Sequence, residues 1–204
     1  NCYIEAERDV AGIVGVLNGK YQFENNTVEN TQVVYHSSKS YEAAGLIVSQ
    51  RIKCEVPKSN VATNTTVELV ALSAQNLMDA LSLDKEVTLG SDLKVTASTG
   101  GYNKSGITIS GNTLDGNGHT LNVTNANSTW DCGVYIQGGT LKNMTISGSF
   151  RGIFTAGCTS DIIIDNVIID NVCYTFNSDD GNKDYSVTIK NSTLNGWTSF
   201  SDCH

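Results

Sequence analysis

The sequence is poor in proline, in charge and in long apolar runs, and each shortage excludes a class of protein. A single proline among 204 residues, with no glycine period, excludes collagen. Charged residues make up only 17% of the chain, whereas disordered chains are rich in charge. No apolar run approaches the ~18 residues that indicate a transmembrane helix. The net charge of −8 argues against a nucleic-acid partner, because phosphate binding needs a basic surface.

Metal-binding motifs and a leader sequence are also missing. The six cysteines contain no CxxC pair and the three histidines are scattered, so we predict no metal site. An even number of cysteines is compatible with disulfides in an oxidising compartment. The chain begins at Asn1 without an export signal, so we expect it to be a processed piece of an exported protein.

Small polar residues take the place of the missing charges, and they recur at a regular step. The chain contains 21 asparagines and 21 threonines. One short apolar–Asn–apolar string occurs at 141–148, 164–171 and 189–196. Its central residues, Asn143, Asn166 and Asn191, are separated by nearly equal steps. No copy contains a helical pattern long enough for a crossover helix, so the repeat indicates a coil of parallel strands. In such a coil the three asparagines form a structural ladder at equivalent bends.

The repeats and their flanking segments predict an all-β protein in two parts. Residues 71–204 are predicted to form a capped parallel β-helix. A short amphipathic helix at 73–83 shields its open end, and residues 84–204 form roughly five coils. Residues 1–58 are predicted to form a smaller β-rich module, because Ala11–Gly15 returns as Ala44–Val48. We predict a linker at 59–70, where this pattern lapses.

Two segments resemble known families. Residues Gly106–Ser201, with the string Leu114–Leu121, resemble the right-handed parallel β-helix repeats of the pectate-lyase-like superfamily. Residues 1–56 resemble the GLUG-type repeats of bacterial surface proteins. The resemblance implies a right-handed β-helix, which in this superfamily carries lyases, hydrolases, adhesins and inert spacers alike.

The candidate catalytic residues belong to incomplete motifs. Asp179 and Asp180 resemble the paired carboxylates of polygalacturonase-like hydrolases, but the His-Gly and Arg-x-Lys strings of those enzymes are absent. A calcium-assisted lyase is a further alternative. It would take metal ligands from Asp161, Asp165, Asp170 and Asp179 and a base from Arg151, Lys142 or Lys190. Otherwise we expect no cofactor, and no activity motif is complete.

Aromatic residues give the strongest candidate for binding. Trp130, Tyr174 and Trp197 could stack on sugars, since their rings combine apolar area with a polar edge. A second aromatic set, at 135, 154, 176 and 200, advances by about the same step as the asparagines and predicts a single column. Cys132 and Cys173 each lie three residues before a member of this set, at 135 and 176, which places the two cysteines two turns apart. That distance is too long for a disulfide, so we expect buried thiols.

These features predict a non-catalytic extracellular or bacterial cell-surface module, an adhesin or glycan-binding solenoid. The partner would be a polysaccharide or host glycan. A polysaccharide lyase or glycoside hydrolase on the same coil is the alternative function, and a purely structural spacer is a third. A solenoid that ends abruptly at His204 also predicts end-to-end contacts, or contacts with further chain.

Overall fold

The computed structural model describes residues 2–6, 10–18, 23–37, 44–45, 48–52, 59–71, 74–83, 86–97, 105–124, 131–179 and 184–200. The predicted fold class is confirmed: the protein is all-β, with one short helix in the described ranges, and its parallel strands coil as a right-handed parallel β-helix. The chain divides into two compact units, Asn1–Leu72 and Ser73–His204. No helix in the described ranges combines the length and apolar character needed to cross a bilayer.

The first unit is a stack of short parallel strands. Cys2 lies opposite Thr31, and Gln32 in turn lies opposite Thr66. Ala11 lies opposite Gly45, one position beyond the Ala44 that its sequence echo suggests. The strands are β1 (Cys2–Ala6), β2 (Val10–Ala11), β3 (Val14–Asn18), β4 (Thr27–Glu29), β5 (Thr31–Ser37), β6 (Ala44–Gly45), β7 (Val48–Ile52), β8 (Val61–Thr63) and β9 (Thr66–Ala71).

The predicted linker at 59–70 is corrected by the structure, because strands β8 and β9 occupy most of it. Strand β8 pairs with β4, and β9 pairs with β5 along its whole length. The segment is rich in Val and Thr, which favour pleated strands. Leu69 of β9 lies opposite Tyr35 of β5, and both side chains are buried. Apolar burial therefore places this segment in the first unit, and the unit boundary follows Leu72.

The predicted helix opens the second unit as α1 (Ala74–Leu83). Leu77 and Leu81, one turn apart on the same face, are buried, and α1 packs against the strands that follow it. The Nδ2 of Asn112 donates a hydrogen bond of 2.7 Å to the carbonyl of Leu81, which satisfies one of the free carbonyls at the helix end. The helix thus covers the first turn of this unit.

The second unit winds through five turns, since one of its sheets holds one strand from each turn, in the order β12, β15, β17, β19, β22. Its described strand pairs are parallel throughout. Its strands are β10 (Glu86–Leu89), β11 (Leu93–Thr96), β12 (Ser105–Ile109), β13 (Thr113–Asp115), β14 (Thr120–Thr124), β15 (Cys132–Ile136), β16 (Gly139–Ser147), β17 (Arg151–Thr155), β18 (Ile162–Asp170), β19 (Tyr174–Ser178), β20 (Val187–Lys190), β21 (Thr193–Leu194) and β22 (Trp197–Ser199).

The core of the second unit is built from columns of aliphatic side chains. Leu114, Leu141 and Ile164 lie opposite one another in successive turns, and none is exposed. Full burial of each such side chain contributes about 1.5–3 kcal/mol before the entropy of ordering is subtracted. Because the parallel pairing continues from turn to turn, residues one repeat step apart in the sequence become neighbours on the surface.

Candidate functional site

The repeated asparagines sit at equivalent corners of successive turns. Asn143, Asn166 and Asn191 have φ values of 54°, 55° and 53°, in the left-handed region that asparagine tolerates. The Nδ2 of Asn166 donates to the Oδ1 of Asn143 at 2.9 Å. Below and above that link the partners are aspartates: Asn143 donates to Asp115 at 3.0 Å and Asn191 donates to Asp165 at 2.9 Å. The corner is therefore a mixed amide–carboxylate ladder, and these bonds explain the asparagine repeat structurally.

The lysines considered as catalytic bases are held in ion pairs. Lys142 Nζ lies 2.7 Å from Glu86 Oε1 and 3.3 Å from Asp115 Oδ2, and these partners, the Glu86 hydrogen bond first, raise the pKa of Lys142. A lysine with a raised pKa is a poorer base at neutral pH. Lys190 Nζ lies 3.1 Å from Asp165 Oδ2. Neither lysine is therefore poised to take a proton from a substrate.

The aspartates considered for calcium are spread over the surface. The backbone N–H of Ser186 donates to Asp161 and lowers the pKa of that carboxyl. Hydrogen bonds from Asn191 and then Lys190 lower the pKa of Asp165. In the part of the chain that the structure describes, no three His, Cys, Asp or Glu side chains group closely enough to hold a metal ion.

Arg151 is the most deeply buried charged side chain in the described ranges, at 1% exposure. Its guanidinium carbon lies 3.7 Å from the ring centroid of Phe154, a cation–π contact. Its Nη1 donates to Asn177 Oδ1 at 3.2 Å and lies 3.9 Å from Asp179 Oδ2. The Nδ2 of Asn177 in turn donates to Asp179 Oδ1 at 3.3 Å. Asp179 is thus held by two neighbours, while its predicted partner Asp180 lies outside the described residues.

An aromatic row crosses three successive turns of the sheet formed by β12, β15, β17, β19 and β22. We define the aromatic row as Phe150, Tyr174 and Trp197. The ring centroids of Phe150 and Tyr174 are 5.7 Å apart, and those of Tyr174 and Trp197 are 6.2 Å apart. The rings are mutually inclined by 58° and 76°. Phe150 and Tyr174 are half-buried, whereas Trp197 is 74% exposed.

Backbone hydrogen bonds fix the aromatic row in place. The N–H of Tyr174 donates to the carbonyl of Phe150 at 3.0 Å, and the N–H of Trp197 donates to the carbonyl of Cys173 at 2.9 Å. Two of the three predicted glycan-stacking residues, Tyr174 and Trp197, therefore lie together. The third, Trp130, lies outside the described residues. Phe150 is not among the predicted residues, although its separation from Tyr174 matches the repeat step and could have indicated it.

The second aromatic set does not form the single column that its spacing predicts. Tyr135 stacks on Phe154 with centroids 5.8 Å apart, and Phe176 stacks on Phe200 at 5.1 Å. Between these pairs the observed pairing differs by one position from the predicted column, since Phe154 lies opposite Asn177 and not opposite Phe176. Phe176 lies instead opposite the core residue Ile153, and the set forms two short stacks.

The same one-position difference from the predicted alignment applies to Cys173. Tyr174, not Cys173, lies opposite Arg151, and Cys173 is exposed, which corrects the expectation of a buried thiol. Cys132 and Cys158 are buried thiols, and burial raises the pKa of Cys132 to about 12. Cys54 and Cys203 lie outside the described residues.

The comparisons with known proteins add no family to this description. No protein-family model, curated protein or solved structure matches the chain. What is established is therefore a parallel β-solenoid with an aromatic row in which Trp197 is exposed.

Proposed function

We propose that this protein is a non-catalytic module of the cell exterior, secreted or carried on a bacterial surface, that binds glycan through the aromatic row. One observation carries the proposal: Phe150, Tyr174 and Trp197 form a continuous set of rings across three turns, and Trp197 is 74% exposed. Tryptophan and tyrosine dominate binding energy where their rings bury apolar area and keep a polar edge in water. The resemblance to the pectate-lyase-like superfamily and to GLUG-type repeats is consistent with an extracellular role.

The arrangement of the charged side chains supports binding rather than catalysis. General acid–base chemistry needs titratable groups that converge on one reacting position. Here Lys142 and Lys190 are engaged by different acids along the asparagine corners, while Arg151 is buried against Phe154. The carboxylate of Asp179, 32% exposed, lies beside that buried guanidinium.

A glycan array tests the proposal directly. We expect wild-type protein to bind at least one glycan class and Trp197→Ala to lose that signal. Tyr3→Ala serves as the control, because Tyr3 is 58% exposed and lies in the first unit. Incubation with pectin-like polymers, with and without calcium, separates binding from the alternative of a lyase or hydrolase. Unsaturated or reducing products would overturn the proposal, and an array without hits would favour a spacer.

A further inference from the structure

The charge around the aromatic row restricts what the row can bind. Arg151 is the only cationic residue among the described strands β12, β15, β17, β19 and β22, and it is 1% exposed. The groups flanking these strands include Asp179, whose carboxylate is partly exposed. An anionic sugar would meet no accessible cation on these strands, and it would approach a chain with a net charge of −8. The charges of the described strands therefore favour a neutral ligand over an anionic one.

The orientation of the rings restricts the shape of the ligand. The rings of the aromatic row are inclined to one another by 58° and 76°, so they cannot all lie against one flat surface. A crystalline polysaccharide face would contact one ring at a time. A single chain can rotate about its glycosidic bonds and offer a sugar face to each ring in turn.

The direction of the row sets the direction of the ligand. Phe150, Tyr174 and Trp197 belong to consecutive turns, so the row runs along the solenoid axis with steps of 5.7 and 6.2 Å. Steps of this size are comparable to the length of one pyranose unit. The exposed fraction is greatest at Trp197, which makes this ring the principal contact.

We infer that the aromatic row binds a single, neutral glycan chain that lies along the solenoid axis, with about one sugar for each of the three turns. This inference rests on the proposed glycan-binding function and deepens it, because it specifies the charge, the form and the length of the ligand.

A chain-length series tests this inference with the whole protein. Neutral oligosaccharides of increasing length, from the monosaccharide to the hexasaccharide, are titrated by calorimetry in the class that binds best. Affinity should rise up to the trisaccharide and then level off, as the row has three rings. Trp197→Ala should weaken binding of the trisaccharide roughly 10- to 30-fold, whereas Tyr3→Ala should leave it unchanged. Trp197→Phe should recover part of the affinity, and circular dichroism should show that each variant folds.

The outcomes separate this inference from the function on which it rests. If no glycan binds at all, both fail. If glycan binds equally well to wild type and Trp197→Ala, the site is elsewhere, so the inference and the proposed role of the aromatic row fail together. If binding depends on Trp197 but not on chain length, only the inference fails. Stronger binding of uronic-acid or sulfated chains, or binding confined to insoluble crystalline polymer, also overturns it. So does burial of Trp197 in a dimer, which its fluorescence would report as a concentration-dependent shift in a Trp130→Phe background.

Discussion

The asparagine corner makes a quantitative prediction about stability. Asn166→Ala forces alanine to adopt a φ near 55°, which costs about 1 kcal/mol relative to asparagine or glycine. It also removes the hydrogen bond to Asn143, which at this exposed site contributes about 0.5 kcal/mol. The free energy of unfolding should therefore fall by about 1.5 kcal/mol, which lowers the melting temperature by about 3–6 °C for a chain of this size.

Thermal and urea unfolding followed by far-ultraviolet circular dichroism would measure this loss. Asn166→Gly accepts the left-handed φ and loses only the side-chain bond, so it should be less destabilising than Asn166→Ala. Asn195→Ala is the matched control, because Asn195 is exposed in the next turn and its φ is not positive. Equal stability of the 166 and 195 alanine variants, or a glycine variant weaker than the alanine variant, would refute the reasoning.

Three further predictions follow from the buried and charged groups. Arg151→Ala should lower the free energy of unfolding by about 2–3 kcal/mol, because it removes buried packing, the cation–π contact with Phe154 and the hydrogen bond to Asn177. Urea unfolding would measure this loss. A loss no larger than that of Asp179→Asn would contradict the prediction. In native protein treated with iodoacetamide, Cys2 and Cys173 should be alkylated, whereas Cys132 and Cys158 should be protected until the protein unfolds. Peptide mass spectrometry would measure the labelling. Labelling of Cys132 at the rate of Cys173 would be inconsistent with the fold. Because the pKa of Asp165 is lowered in the folded state, its contribution to stability is present above its ordinary pKa of 3.8 and is lost as the pH falls through the lower folded value. Asn191→Ala should raise the Asp165 pKa toward 3.8 in a carboxyl NMR titration, whereas Asn195→Ala should not move it.

The architecture of the second unit could be predicted from sequence because one physical requirement repeats visibly. A left-handed corner needs Asn or Gly, and the corners at Asn143, Asn166 and Asn191 are separated by nearly constant steps. The buried face of α1 was equally readable from the spacing of Leu77 and Leu81. In both cases a local requirement of the backbone or of the core selects a narrow set of residue types.

The first unit uses the same corner chemistry, but its longer step conceals it. Asn30 and Asn64 have φ values of 49° and 47°, and the Nδ2 of Asn64 donates to Asn30 Oδ1 at 2.7 Å. The segment between them is longer than a turn of the second unit, and one of its strands, β6, contains only two residues. The sequence echo in this unit, from Ala11 to Ala44, is one residue shorter than the step from Asn30 to Asn64. The asparagine pair therefore does not stand out, and strands β8 and β9 were predicted to be a linker.

The register at the aromatic stacks was unpredictable for a different reason. Arg151 lies opposite Tyr174, and this step is one position longer than the separation of Phe154 and Phe176. A difference of one position moves a side chain to the other face of a strand. It therefore places Phe176 in the core, and it brings Asn177 rather than an aromatic ring beside Phe154 and within reach of Arg151.

This geometry also explains why a local motif was a poor guide to the site. In a parallel solenoid, a surface feature along the axis is encoded by residues one turn apart, so its members never appear together in sequence. Asp179 and Asp180 stand out because they are adjacent in the chain, whereas the members of the aromatic row are each separated by a full turn. Only the latter spacing matches the period of the coil. A candidate site in such a protein is therefore better sought by comparing side chains that are one repeat step apart. Because the surface side chains and the asparagine corners are different residues of each turn, single substitutions in each turn could change which ligand is bound without altering the corners that hold the fold.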